Sequence, residues 1–309
     1  MNFLNAVSAL FRYGRWAVFA GIVTAASAQP LPSNTLKKIQ TSGVIVIGHR
    51  VGSVPFSYLD ANLQPIGYSM DLCRAVVEAV KVQLNLPDLK VKLVAVTSAT
   101  RIPMVANGSV DLECGITTNT QERRKQVAFS VTTFVAQSRL LAKKVNNIRQ
   151  LADLRGRPVV STVSTTSIAR LNEINAQQQL GMRILAGKDD PDSFLFVQSD
   201  RAVAYAMDDV LLYALIARNP RPQDYSVSDE ALSVEPYGIM LGKDDPEFKR
   251  LVDGALTALF RSGEINRLYR QWFESPIPPN GLNLQLPMSG ALQRAILQPT
   301  DSSDPKNYQ

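Results

Sequence analysis

The stretch DLECGITTNTQERRK, Asp111–Lys125, joins the fold of this chain to its chemistry. An apolar run ends at Cys114 and Gly115, the hydroxyl pair Thr117 and Thr118 follows, and Arg123 lies one helical turn beyond. Thr118 with Gln121, or Asn119 with Glu122, has the spacing of a capping box, which satisfies the first N–H groups of a helix. The spacing predicts a strand ending at Cys114 and a helix whose N-terminus faces outward beyond it. Such a terminus is partly positive and seats anions. A cation in the same turn opposes that dipole by about 0.3–1 kcal/mol, so Arg123 is best explained by an anion close enough to answer both. For this stretch alone, a capped surface helix with a solvated arginine is the simpler alternative. The pattern's recurrence along the chain favours the anion seat.

On the N-terminal side, a short helix is expected over Leu36–Thr41, followed by VIVIGHR, Val44–Arg50, a continuous apolar run typical of a parallel strand buried on both faces. A helix beginning near Ser69 carries Met70, Cys73, Val76, Val77 and Val80 at helical spacing. Val91–Val96 reads as a second strand, Pro103 and Gly108 bound a short helix, and Val110–Cys114 is a third strand. The order then repeats. Strands Pro158–Thr162, Arg183–Gly187 and Ala202–Met207 alternate with helices starting at Thr165 or Thr166, at Asp192 or Ser193, and at Asp208 or Asp209. Two β-α-β-α-β-α series imply two lobes, each a parallel-type sheet flanked by helices. Tyr237–Gly242 adds a strand. Helices follow from Pro246 and over Glu264–Phe273, then an extended segment Ser275–Pro287, a helical turn or two near Ala291–Leu297 and a frayed polar tail. If the chain crosses between lobes near Thr132–Ser138 and again near Val234–Tyr237, a two-strand hinge results. Lobe one is then residues 34–135 with a return over 236–275, lobe two is 136–235, and 276–309 is a C-terminal segment.

The 309 residues, 45% hydrophobic, are enough for two domains and too apolar for a disordered chain. Residues 1–28 read as a secretory signal peptide. Arg12 and Arg15 precede an uncharged run from Trp16 to Thr24, and Ala26-Ser27-Ala28 forms a small-residue cleavage site before Gln29. Pro30–Ser33 reads as a linker. Removing those two arginines, and no acid, lowers the formal charge from +6 to +4. That is mild basicity with both signs interspersed, and it presents no nucleic-acid face. Export would permit a disulfide, yet Cys73 and Cys114 both fall in expected buried elements, where a free cysteine behaves as a small apolar residue. His49 is the only histidine, so neither a metal site nor a cofactor is expected.

Ligands of open parallel sheets bind beyond the carboxyl ends of the strands. In chain order those ends carry Arg50; Ser98 and Arg101; Thr117, Thr118 and Arg123; Ser164, Thr165 and Thr166; Asp189 and Asp190; Asp208 and Asp209. Lobe one offers three arginines with hydroxyls, and lobe two offers a helix N-terminus with hydroxyls and carboxylates. Such a cleft complements a small zwitterion with extra negative charge, since guanidinium groups fork onto carboxylates and a carboxylate answers an ammonium. The hydroxyls and Asp208 or Asp209 could equally be helix caps, and Phe56 and Tyr58 could wall the pocket or sit in the core. Three arginines at three neighbouring strand ends are least well explained that way.

VIVIGHR with SVPFSY, GYSMDL, TSATRIP, ECGITTNTQERR, STTS, AVAYAMDD and SPIPPNGLN together resemble the periplasmic solute-binding proteins of polar amino-acid ABC importers, within them the glutamate/aspartate-binding branch. The resemblance spans nearly all of the chain after residue 28. It implies a two-lobed fold with a double-strand hinge that closes on one amino acid, with a membrane permease as partner and the monomer as the working form. By position, Arg50, Ser98 and Arg101 would hold the side-chain carboxylate, Thr118, Arg123 and Thr166 the α-carboxylate, and Asp208 the α-ammonium. Two positions depart from the branch. Ile116 stands where a serine helps bind the ammonium, and Asp190 where a histidine lies near the side-chain carboxylate. An unpaired carboxylate at Asp190 would repel a distal carboxylate, which admits another polar amino acid or a dicarboxylate as ligand. The fold also resembles exported dehydratases of prephenate-like acids, in which Asp190 would be the general acid. A sensory core of the glutamate-receptor type finds no spanning segment to support it.

Overall fold

The computed structural model describes residues Ser33–Tyr308. The expected signal peptide, residues 1–28, lies outside the described residues, and of the expected linker only Ser33 falls among them. Ser33 caps helix α1 (Asn34–Ser42) by accepting the Leu36 N–H, and Gly43 at φ +66° closes that helix in the left-handed conformation that glycine adopts without strain. Strand β1 (Val44–His49) is followed by a small antiparallel sheet of β2 (Gly52–Ser53), β3 (Ser57–Leu59) and β4 (Pro65–Ile66). Helix α2 (Tyr68–Leu84) buries Met70, Cys73, Val76, Val77 and Val80, the stripe its spacing predicts, and Leu72 beside them. Then come β5 (Lys90–Ala95), α3 (Arg101–Ala106), β6 (Leu112–Cys114), β7 (Val127–Phe129) and the long β8 (Phe134–Lys143). The second series is β9 (Pro158–Thr162), α4 (Thr166–Gln177), β10 (Arg183–Gly187), α5 (Asp190–Gln198), β11 (Ala204–Asp208), α6 (Asp209–Ala217), β12 (Tyr225–Val227) and β13 (Ser233–Tyr237). The chain continues through β14 (Met240–Gly242), α7 (Pro246–Ser262), α8 (Glu264–Tyr269) and α9 (Gly290–Leu297). No helix among the described residues is long and apolar enough to cross a membrane.

Two sheets result, ordered β5-β1-β6-β14-β7 and β10-β9-β11-β8-β12, with β13 also paired to β8. The βαβ series give the parallel part of each, β5-β1-β6 and β10-β9-β11. The expected parallel-type sheets flanked by helices form, and each also takes in antiparallel strands: β14 runs antiparallel to β6 and β7, and β8 antiparallel to β11, β12 and β13. The reason is connectivity, since β8 and β14 arrive by short links without a crossover helix, and parallel entry needs one. Those links, residues 130–133 and 238–239, carry the chain between the sheets side by side, and backbone bonds of 2.9 Å join Ser130 to Ile239 and Thr133 to Tyr237.

Beside the links lies an aromatic cluster. Phe56 packs edge-on against Phe134 with ring centroids 4.8 Å apart, and contacts Tyr68, Tyr237 and Phe273 as well. Phe56 and Tyr58 thus belong to the core, Tyr58 placing its hydroxyl 2.8 Å from the Pro278 carbonyl. Two further expectations are corrected. Cys73 and Cys114 form a disulfide tying α2 to β6, because the helix packs directly over the strand end and brings the Cα atoms to 6.2 Å. The C-terminal tail is held rather than frayed. Thr132 N–H bonds to the Thr300 carbonyl at 2.8 Å, the Tyr308 hydroxyl meets Thr132 Oγ1 at 2.7 Å, and Asp301 lies 3.2 Å from Arg124 and 3.0 Å from Lys249. Burial alone would raise the Asp301 pKa, but Lys249 and Arg124 hold it below the usual carboxylate value.

Candidate functional site

Arg50 follows β1, and its backbone N–H is fixed by the Ser57 hydroxyl at 2.9 Å. Its side chain is 4% exposed and Nη1 has no acceptor. Arg101 opens α3 and is 2% exposed; Nη1 reaches the Ile116 carbonyl at 3.3 Å, and Nε has no partner. Ser98 is buried just before it. The helix expected after Thr118 does not form. Thr118 makes an antiparallel bridge to Tyr237 and the Asn119 N–H bonds to Pro236, so the second crossing strand draws this segment out, leaving a single 3₁₀ turn at Arg123–Lys125. The argument from a helix dipole at Arg123 therefore falls away. What stands there is a buried guanidinium donating to the carbonyls of Thr118 at 2.8 Å and Ser164 at 3.3 Å.

In the second half, Thr165 caps α4 by accepting the Ile168 N–H, and Thr166 is the first residue of that helix. Ser164 just before it has φ +60°, an uncommon conformation for a residue with a Cβ. Helix α5 starts at Asp190, two residues earlier than the earliest expected start, because Asp189 rather than Asp192 is its cap. Asp190 Oδ1 accepts from Thr162 at 3.0 Å and Tyr205 at 3.2 Å, and Oδ2 from Ser53 at 3.4 Å. Asp208 holds the cap position of α6, yet its side chain does not cap; it accepts from Tyr237 Oη and, at 3.4 Å, from Ser167.

Besides the bonds of Thr118 and Asn119 to β13, side-chain contacts join the halves here: Arg123 with Ser164, Ser53 with Asp190, and Thr118 Oγ1 with Thr166 Oγ1 at 3.5 Å. Arg101 lies within electrostatic reach of Arg50, Arg123, Glu113 and Asp190. Its pKa is lowered to about 9, first by burial and then by Arg123 and Arg50, against the opposing pull of Glu113 and Asp190. An arginine keeps its proton in proteins, so this shift measures an electrostatic cost that a bound anion would relieve. Burial likewise lowers Arg123, opposed by Glu235, Asp208 and Glu113.

Asp208 is pushed the other way, well above the usual carboxylate value, by burial and then by Glu235. A raised folded pKa favours the protonated form, so the ligand-free protein loses stability as pH rises from the ordinary carboxylate range through that raised value. Asp208→Asn removes this loss. The variant is expected to melt higher than the parent at neutral pH without ligand, while its binding of amine-bearing ligands weakens at least tenfold. Thermal melts from pH 4 to 8 and calorimetric titration check both.

Four residues of this constellation escaped the sequence reading: Glu113, Glu235, Tyr237 and Ser53. Glu235, 2% exposed, accepts the Thr166 hydroxyl at 2.7 Å from its place on β13. Glu113 had one legible signal, a carboxylate inside the apolar run VDLEC. Glu235 and Tyr237 depend on which strand pairs β8, and Ser53 on β2 meeting the start of α5, neither of which periodicity reveals.

The bacterial extracellular solute-binding proteins, family 3, match this chain over residues 45–275. An L-glutamate/L-aspartate-binding protein of Pseudomonas aeruginosa is 50% identical over 93% of this chain and 95% of its own length. The glutamate/aspartate import solute-binding protein of Escherichia coli is 46% identical, also over 93% of this chain and 95% of its own. Among solved structures, an ancestral amino acid-binding protein described as a precursor of cyclohexadienyl dehydratase superposes with a TM-score of 0.67 at 28% identity, covering 78% of this chain and all of the other.

Proposed function

This chain belongs to the bacterial extracellular solute-binding proteins, family 3, and from that premise we propose that it captures glutamate or aspartate between its two halves and delivers it to an ABC-importer permease. The observation that carries the reading is the pair of buried, unpartnered donors Arg50 Nη1 and Arg101 Nε, one chain-half away from the buried carboxylate Asp208. Buried polar groups ordinarily have partners, and a distal carboxylate is the acceptor that suits two guanidinium donors. In this pose Arg50, Ser98 and Arg101 take the side-chain carboxylate, Thr118, Arg123 and Thr166 the α-carboxylate, and Asp208 the α-ammonium. Asp190 is engaged by Ser53, Thr162 and Tyr205 and, through Ser53, joins the halves at the edge of the site. Lobe one is taken as residues 34–129 and 240–275 and lobe two as 134–237, since β8 begins at Phe134 and β13 ends at Tyr237, and the paired links 130–133 and 238–239 between them are the hinge. A ligand touching both lobes favours closure by its differential affinity for the closed form, and closure is the shape a permease reads. The protein works without catalysis, as a monomer, in the periplasm.

The test is calorimetric titration with all amino acids and small dicarboxylates, alongside incubation with prephenate and arogenate. Saturable binding of glutamate or aspartate with both acids unchanged supports the receptor. Turnover of either acid, with no amino-acid binding, overturns it in favour of a dehydratase.

A further inference from the structure

The buried carboxylates about this site are not equivalent. Asp190, Asp208 and Glu235 each accept hydroxyl bonds on both oxygens, from Ser53, Thr162 and Tyr205, from Ser167 and Tyr237, and from Thr166 and Ser233 respectively. Glu113 is fully buried and accepts from Thr117 on Oε2 at 2.7 Å, while Oε1 has no donor. The buried side-chain atoms without a hydrogen bond among the described residues are Glu113 Oε1, Arg50 Nη1, Arg101 Nε and Arg139 Nε, the last ion-paired with Asp209 at 3.8 Å, and the first three belong to this one cluster. Gly115 shows how tightly it is built. A Cβ there would fall 2.1 Å from Glu113 Oε1 and 3.1 Å from Arg50 Cγ, so any side chain at this position would displace the Glu113 carboxylate and crowd the arginine stem.

We propose that Glu113 is an internal counter-ion to Arg50 and Arg101 that competes with the distal carboxylate of the ligand, and so sets both the affinity of the site and its preference for an acidic over an amide side chain. The inference rests on the acidic amino-acid reading above. Without ligand, Glu113 offsets guanidinium charge that burial makes costly. With ligand present the same charge repels the incoming carboxylate, which caps affinity at a level from which a receptor can still release its cargo. A carboxamide side chain carries no net charge and is little affected.

The variant Glu113→Gln keeps shape and the Thr117 contact while removing the charge. It is expected to melt lower than the parent without ligand, to bind glutamate about tenfold more tightly, and to raise the glutamate-to-glutamine affinity ratio by a similar factor. Thr117→Val removes the hydroxyl that stabilises the Glu113 charge and so favours its neutral form; it is expected to shift the ratio in the same direction by a few-fold, and it serves if Glu113→Gln does not fold. Titrations of parent and variants with glutamate and glutamine read the effect. A Glu113→Gln protein whose ratio is unchanged or lower, or a Thr117→Val protein whose ratio falls, overturns the counter-ion role. Failure of the parent to bind any acidic amino acid would instead overturn the underlying function, so the two failures are distinguishable.

Discussion

Replacing Arg123 with alanine is expected to abolish glutamate-dependent thermal stabilisation. The guanidinium is buried, bonds to one carbonyl of its own half and to one of the other, and faces Glu235, Asp208 and Glu113. In the proposed pose it also takes the ligand's α-carboxylate, so its loss removes a forked charge-assisted contact and a link across the halves together. Truncating one partner of a buried charged pair costs about 2–5 kcal/mol, a loss of roughly 30- to 4,000-fold in affinity. Arg123→Lys should fall between, since an ammonium keeps the charge without the fork. Thermal shift and calorimetry of the three proteins check this, and an undiminished shift in Arg123→Ala would contradict the pose.

The second large effect is expected from the disulfide. Cys73 and Cys114 are 41 residues apart in sequence, and closing a loop of that length stabilises the fold by about 4 kcal/mol in the chain-entropy picture. For a chain of this size each kcal/mol moves the melting temperature by about 2 °C at the lower end, so the Cys73→Ser/Cys114→Ser double variant should melt about 8 °C lower. Reductant should lower the parent likewise and leave the variant unmoved. A change under about 2 °C would show that packing of α2 on β6 needs no covalent tie.

How much of this was legible depended on the kind of signal. The apolar run Val44–His49 and the stripe on α2 are local patterns, and both elements form where expected. The three arginines were legible as a set because each follows a recognisable strand end. What failed was whatever depends on a partner distant in sequence. Thr118 and Asn119 carry capping spacing, but Tyr237 and Pro236 claim their backbone and no α-helix forms. The tail after α9 reads as polar and frayed, yet it meets Thr132, Arg124 and Lys249. Both cysteines looked like small apolar residues because their pairing depends on α2 crossing the end of β6. Glu113 and Glu235 went unread for the same reason. A carboxylate in a strand gains meaning only once the arginine or hydroxyl facing it is known, as with Gly115, which separates Glu113 from Arg50.

The most direct measurement is a crystal structure of the protein grown with L-glutamate. It should place the distal carboxylate within hydrogen-bond distance of Arg50 Nη1 and Arg101 Nε, the α-carboxylate on Arg123, and the ammonium on Asp208. Glutamate bound elsewhere, or bound here with those two arginine nitrogens still unpartnered, would contradict the account.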